Sequence, residues 1–145
     1  MPKNAVERAK VTINGVSGDK QRDLRHHGGP QRAVSLFSLE LIEALKSEGH
    51  PIAPGTTGEN LTISGLDWAV INVGDQLRVG EWVELEITGF ASPCAKIAES
   101  FKHHSIKRIS QKVHPGWSRL YTRVITEGVV QPGDMVIWQG DLTRA

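Results

Sequence analysis

The chain is poor in cysteine: its 145 residues include one, Cys94. A single cysteine excludes an internal disulfide, a four-cysteine zinc site and the cysteine pair of a CxxC redox motif. Any chemistry of this thiol therefore depends on one sulfur atom and its non-cysteine neighbours. A lone cysteine is by default an inert, buried side chain, so a functional role needs support from the surrounding sequence.

Long apolar runs and a strong net charge are missing as well. No apolar stretch approaches the roughly 20 residues that a membrane span needs, and residues 1–10 lack the apolar segment of a secretory signal. The formal net charge is only +1, which creates no overall field to attract nucleic acid. We therefore expect a cytoplasmic protein that contacts no membrane and no nucleic acid polymer.

The composition is that of an ordinary globular protein, with 39% hydrophobic and 23% charged residues. The length corresponds to a single domain, 1–145. Glycine and proline separate short β-type segments, and the clearest alternation is Val83, Leu85 and Ile87 with polar residues between them. Other strand candidates are 11–13, 76–79, 121–125 and 135–138.

Helical signals are few. Ser38 can cap a helix that places Leu41, Ile42 and Leu45 on one face, and Gly49 can end it. A short second helix is predicted to start after Cys94 with Ala95, and a third covers 106–113. The sequence therefore predicts a mainly β fold, a β-barrel with a few peripheral helices.

A polar, glycine-rich loop precedes the predicted strand at Ala33-Val34. Its Gly28-Gly29-Pro30 turn lets the backbone approach a ligand closely. His27 and Arg32 flank that turn, and both suit a phosphate or another oxyanion. Asp23 and His27 also have the spacing of a metal-binding pair, but without a third ligand we favour the anion site.

Two further segments carry candidate chemistry. A glycine-rich turn offers Thr57, Glu59 and Asn60 as hydrogen-bonding groups, although it could simply be a hairpin turn. Cys94 follows Pro93 where a strand ends and a helix is expected to begin, with Lys96 two residues later. Free N–H groups and the dipole at a helix N-terminus stabilise a thiolate, and a thiolate is both a nucleophile and a soft metal ligand.

These segments, in this order, resemble the MOSC domain family, the domain type found at the C-terminus of molybdenum cofactor sulfurases, and above all its short stand-alone bacterial members. The likeness runs from about Ala5 to Trp138. The matching stretches are Gly18-Asp19, Asp23, His27-Gly28-Gly29-Pro30, Arg32-Ala33-Val34, Gly58-Glu59-Asn60-Leu61, Gly65-Leu66, Val73-Gly74-Asp75, Pro93-Cys94, Gly116-Trp117, Tyr121, Arg123-Val124 and Gly133-Asp134.

The resemblance implies a MOSC-type β-barrel and a molybdenum cofactor, Mo-molybdopterin, whose metal is ligated by Cys94. His27, Arg32 and Lys96 would hold the pterin phosphate or a small-molecule substrate. Thr57, Glu59 and Asn60 would bond the pterin from the facing turn. Family members of this kind reduce N-hydroxylated bases or amines with electrons from a separate electron-donor reductase. Pyridoxal phosphate is not expected.

Two other functions stay open. The single thiol could be a sulfur carrier, bearing a persulfide delivered by a cysteine desulfurase. The chain could also be a degenerate cofactor-binding module. The match has two departures: relatives usually have one more strand before the segment that matches Ala5 to Gly18, and they often carry arginine where this chain has Ala91-Ser92.

The resemblance and the residues together give three structural expectations. Cys94 lies in the wall of a polar cleft, outside the apolar core. The loops around Gly28-Gly29 and Gly58-Glu59 face each other across that cleft. The barrel edge left open by the short N-terminus is covered, with a homodimer as the preferred solution.

Overall fold

The computed structural model describes residues 8–17 and 29–140. The described residues form nine strands: β1 Ala9–Thr12, β2 Gly15–Val16, β3 Val34–Ser38, β4 Leu61–Ile63, β5 Gln76–Val79, β6 Val83–Phe90, β7 Leu120–Thr126, β8 Gly128–Val130 and β9 Val136–Gly140. They also form one α-helix, α1 Leu39–Ser47, and the 3₁₀ turns Pro30–Arg32, Trp68–Val70, Ala95–Ser100, Lys102–His104 and Ile106–Ile109. The expected mainly β fold with few helices is confirmed.

The chain divides into two compact units, each discontinuous in sequence. The first unit contains Ser35–Val70 and Phe90–Leu120, and the second contains the described residues of 5–34, 71–89 and 121–145. Cys94 therefore belongs to the first unit together with the Thr57 turn. Arg32 belongs to the second unit.

The first unit packs α1 and the 3₁₀ turns around an apolar cluster. Ser38 caps α1, because its hydroxyl accepts the Leu41 N–H at 3.2 Å. Gly49, with φ of 96°, follows the helix as predicted. In this unit β3 also pairs parallel with β4, Leu36 lying opposite Leu61. The buried side chains of the cluster are Phe37, Ile42, Leu45, Ile52, Ile97, Phe101 and Ile109.

The second unit contains two groups of strands. One has the neighbour order β7, β6, β5, β9, and the other places β1 between β2 and β8. The alternation in β6 is confirmed, because Val83, Leu85 and Ile87 are all fully buried. In the two Gly-Asp turns the aspartate accepts a nearby backbone N–H: Asp75 accepts the Asn72 N–H at 2.8 Å, and Asp134 accepts the Gln131 N–H at 2.9 Å.

The second and third predicted helices form as short 3₁₀ turns, Ala95–Ser100 and Ile106–Ile109. Between them, His103 and His104 have φ values of 58° and 56°. Two successive left-handed residues cannot continue a right-handed helix, which explains why no longer helix forms here. No helix among the described residues has both the length and the apolar character that a membrane crossing needs.

A network of polar side chains lies at the C-terminal end of α1. The carboxylate of Glu48 accepts two bonds from Arg108, at 2.8 and 2.7 Å, and lies 3.4 Å from Nε2 of His50. The Lys102 N–H donates to Nδ1 of His50 at 3.0 Å, and the Arg108 guanidinium stacks on Trp117. His50 is buried, and its ring makes an edge-to-face contact with Phe101.

We predict that Ser38→Ala lowers the free energy of unfolding by about 1 kcal/mol, because it removes the N-cap acceptor of α1. Ser47→Ala is the matched control: Ser47 is exposed at the other end of the helix and bonds only its own turn. It should change stability by less than about 0.5 kcal/mol. Urea unfolding followed by circular dichroism measures both values, and equal effects would contradict the cap.

We also predict a pH-dependent contribution from Glu48. The hydrogen bonds from Arg108 hold the pKa of this carboxyl below its ordinary value of 4.5. A lowered folded pKa stabilises the protein above the unfolded pKa, and this stabilisation disappears as the pH falls through the folded pKa. Glu48→Gln should therefore lower stability at pH 7 and lower it less at pH 3. Urea titrations at both pH values test this.

The control for this pH experiment is Glu43→Gln. Glu43 is exposed on α1 and lies 3.8 Å from Lys46 as a surface pair, which contributes little to stability. Its variant should match the wild type at both pH values. A Glu48→Gln effect that did not shrink in acid would show that the carboxylate charge is not the cause.

Candidate functional site

Cys94 is a free, half-buried cysteine at the start of the 3₁₀ turn Ala95–Ser100. Its backbone is extended, with φ of −134° and ψ of 170°, and its carbonyl accepts the Ile97 N–H at 3.1 Å. The neighbouring Ile97 is buried in the apolar cluster, whereas Cys94 is not part of that cluster. Cys94 is therefore three residues from a core residue of the first unit without being one itself.

The element that follows Cys94 is not the helix that the sequence predicts. An α-helix was expected to stabilise the thiolate through its dipole, but the element is a six-residue 3₁₀ turn. Its hydrogen bonds are less well aligned than those of an α-helix, so its dipole is a weak source of stabilisation. The position of Cys94 instead depends on the groups that hold the backbone around it.

The segment before Cys94 is tied to the residues that precede β7. The Ala91 N–H donates to the Arg119 carbonyl at 2.9 Å, and the Ser118 hydroxyl bonds the Ala91 carbonyl at 3.3 Å. The guanidinium of Arg119 donates to the Ser92 carbonyl at 3.4 Å. These contacts fix the backbone immediately ahead of Pro93.

The same guanidinium reaches the glycine-rich turn. Arg119 donates from Nη1 to the carbonyl of Thr57 at 2.8 Å, and Ser100 in the turn after Cys94 donates to the Thr56 carbonyl at 3.3 Å. The structure therefore brings two of the predicted segments together, the Thr57 turn and the chain around Cys94. Arg119 is only 5% exposed, so this connection is internal to the first unit.

The carboxylate of Glu59 organises the turn from within. It accepts the Gly55 N–H at 2.7 Å, the Thr57 hydroxyl at 2.7 Å and the Thr62 hydroxyl at 2.9 Å. Glu59 and Thr57 are both buried. Their side chains thus hold the shape of the turn, and a direct bond from either to a pterin stays a prediction.

Burial alternates along this turn. Gly55, Thr57 and Glu59 are buried, whereas the intervening residues and Asn60 are half-buried. Asn60 bonds β3, because its Oδ1 accepts the Ser35 N–H at 2.8 Å and the Ser35 hydroxyl at 3.1 Å. Of the three turn residues predicted to contact the cofactor, Asn60 is therefore the most accessible to a ligand.

The cationic candidates are spread over the chain. Lys96 is exposed on the 3₁₀ turn after Cys94. Arg32 is exposed in the second unit, with its guanidinium 4.9 Å from the ring centre of Tyr121. His27, Asp23 and Gly28 lie outside the described residues, so the expected meeting of the two glycine-rich loops stays a prediction.

Arg119 is the residue that the sequence analysis missed. An arginine before a β-type segment is usually a surface residue, and the two carbonyls that it bonds are 62 and 27 positions away in sequence. Its one sequence signal is its position just before the strand candidate 121–125, and this position does not distinguish a buried arginine from an exposed one. Within residues 8–17 and 29–140, no group of three or more His, Cys, Asp or Glu side chains could hold a metal.

We predict that Glu59→Ala destabilises the protein by about 2–3 kcal/mol, because it leaves three donors, two of them buried, without this acceptor. Glu99→Ala removes an exposed carboxylate from the turn after Cys94 and should change stability by less than about 0.5 kcal/mol. Urea unfolding measures both variants. Equal, small effects would show that the Glu59 network contributes little to the turn.

Comparisons with known proteins place this geometry in context. The chain is 36% identical over 118 residues to the uncharacterised protein YflK of Bacillus subtilis (strain 168), covering 80% of this chain and 52% of YflK. It is 29% identical over 130 residues to a protein of Gibberella moniliformis (strain M3125 / FGSC 7600) named a reductase, covering 86% of this chain and 22% of that protein.

A third relative, YiiM of Escherichia coli (strain K12), is 30% identical over 141 residues, which cover 92% of this chain and 61% of YiiM. The crystal structure of YiiM from Escherichia coli matches with a TM-score of 0.63 at 25% identity, covering 92% of this chain and 63% of that one. The expected MOSC-type fold is therefore confirmed. The chain spans less than two thirds of the length of each of these three relatives.

The family itself follows from a match that covers most of the chain. A model of the MOSC domain matches residues 23–137, a range that includes the Thr57 turn, Cys94 and Arg119. Since this range is well over half of the sequence, the chain belongs to the MOSC domain family, which is associated with molybdenum cofactor binding.

Proposed function

We propose that this protein binds Mo-molybdopterin through Cys94 and reduces N-hydroxylated bases or amines. The observation that carries the proposal is the location of the single free thiol. Cys94 is half-buried and follows a segment that Arg119 ties to the Thr57 turn. Both segments lie within the part of the chain that matches the MOSC domain.

The residues around Cys94 suit this cofactor. A thiolate is a soft ligand of the kind that transition metals accept, and Cys94 forms no disulfide. Lys96 is exposed two residues later and can attract a phosphate group. A bound molybdenum centre would supply the redox chemistry that takes up the oxygen of an N–OH group, which no side chain can provide.

The proposed roles of the other residues follow from their contacts. Asn60 is half-buried at the end of the turn, and we assign it a hydrogen bond to the pterin. Thr57 and Glu59, which bond each other at 2.7 Å, keep the turn in shape. Arg32 and His27 are assigned to the pterin phosphate or the substrate on their chemistry alone, as guanidinium and imidazole groups.

The reductase part of the proposal is supported by one relative. The chain matches a portion, 22%, of the Gibberella moniliformis protein named a reductase. We propose by analogy that this chain works as the substrate-reducing module and takes electrons from a separate electron-donor reductase. The competing function is a sulfur carrier, since the same half-buried thiol could hold a persulfide donated by a cysteine desulfurase.

We predict that wild-type protein, expressed in cells with intact cofactor synthesis, contains molybdenum and that Cys94→Ser contains almost none. The wild type should reduce hydroxylaminopurine with reduced methyl viologen as a chemical electron donor, and the variant should lose at least about 100-fold of this activity, as expected when a cofactor ligand is removed. Elemental analysis and product chromatography measure the two effects.

Ser105→Ala is the control, because Ser105 is an exposed residue of the same unit. It should keep both molybdenum and activity. If Cys94 carries cyanide-releasable sulfur and the protein contains no molybdenum, the reductase function is contradicted and the sulfur carrier function is supported. Protein with neither molybdenum nor releasable sulfur would support a degenerate cofactor-binding module.

A further inference from the structure

Arg119 connects the two segments of the proposed site with one side chain. It immediately precedes β7 and is 5% exposed. Its guanidinium donates to the Thr57 carbonyl at 2.8 Å and to the Ser92 carbonyl at 3.4 Å. One rigid group thus spans from the glycine-rich turn to the chain two residues ahead of Cys94.

The guanidinium is suited to set a spacing. It is planar, its donors form a fixed fork, and it stays charged at all relevant pH values. When two of its nitrogen atoms bond two carbonyls, the separation of these carbonyls is limited by the width of the group. A lysine ammonium keeps the charge but lacks the fork, so it would not impose the same separation.

The constraint passes from Ser92 to Cys94 through proline. The carbonyl of Ser92 belongs to the peptide group that it shares with Pro93, and the ring of Pro93 fixes φ at that residue. Beyond Cys94, the backbone is held again by the Ile97 N–H, which donates to the Cys94 carbonyl at 3.1 Å. Few free torsions therefore remain between the Arg119 contact and the thiol.

We propose that Arg119 is a positioning residue for the Cys94 thiol. It holds the thiol-bearing segment at a defined place relative to the Thr57 turn, without touching a ligand itself. The consequence for metal ligation and turnover rests on the proposed function. The consequence for the thiol itself does not, because the constraint is present in the protein alone.

The Arg119→Met variant should fold, since the backbone contacts beside it do not use the guanidinium. The Ala91 N–H still donates to the carbonyl of residue 119, and the Trp68 indole N–H still donates to the Ser118 carbonyl, at 2.9 and 2.7 Å in the wild type. Methionine fills much of the volume of the arginine stem. What is lost is the link between the two carbonyls.

The test uses Cys94 as its own reporter, because it is the only cysteine in the chain. Purified apoprotein is alkylated with iodoacetamide, a small neutral reagent, and the rate is followed by mass spectrometry. We expect Arg119→Met to change the rate by about fivefold or more, upward, because the segment opens more easily. Arg119→Lys should behave like Arg119→Met, since it lacks the fork.

Arg123→Met is the matched control, because Arg123 lies on β7, four residues after Arg119. Arg123 bonds Glu86 through Nε at 2.9 Å and Nη2 at 3.1 Å within the second unit. Its removal should lower the unfolding midpoint but leave the alkylation rate of Cys94 within about twofold of the wild type. Hydrogen exchange should speed up at residues 91–100 in Arg119→Met and not in Arg123→Met.

The proposal is wrong if Arg119→Met changes the alkylation rate and the local hydrogen exchange no more than Arg123→Met does. Arg119 would then be a structural residue only. Rescue of the wild-type rate by Arg119→Lys would overturn the fork argument. The proposed function is judged separately by molybdenum content: wild-type protein that never binds molybdenum refutes it, whatever the alkylation rates show.

Discussion

A buried charged group must be hydrogen-bonded, and the structure of the first unit depends on the partners that two of its buried charged side chains find. Arg119 and Glu59 are both charged and almost fully buried, so each needs several partners in place of water. The partners of Glu59 lie in its own turn and in β4, and those of Arg119 lie in two separate segments. The turn and the thiol-bearing chain are therefore shaped by groups whose bonds would be costly to break.

Elements with local causes could be predicted from the sequence. The helix α1 follows from a cap at Ser38 and a stop at Gly49, both within a few residues of its ends. The strand β6 follows from its alternation, and the turn before β5 from an aspartate that bonds a nearby amide. In each case the deciding interaction lies inside the segment, so the pattern contains the information.

Elements with distant causes could not be predicted in the same way. The burial of His50 depends on Phe101 and on the backbone of Lys102. Lys102 is 52 positions away from His50 in the sequence. After Cys94, apolar spacing alone suggests α-helices, but the chain forms 3₁₀ turns. The spacing could not show this, because it does not reveal the left-handed backbone at His103 and His104. The role of Arg119 belongs to this class.

The candidate site therefore contains two kinds of residue. Some hold the backbone in place, and others can contact a ligand. Thr57 holds the turn, because its hydroxyl donates to Glu59 and its carbonyl accepts from Arg119, and a bond from Thr57 to a cofactor stays a prediction. Cys94 and Asn60 are half-buried at the ends of segments fixed by such bonds. A reactive or ligating group needs this support, because an error of about 1 Å in its position is enough to impair function.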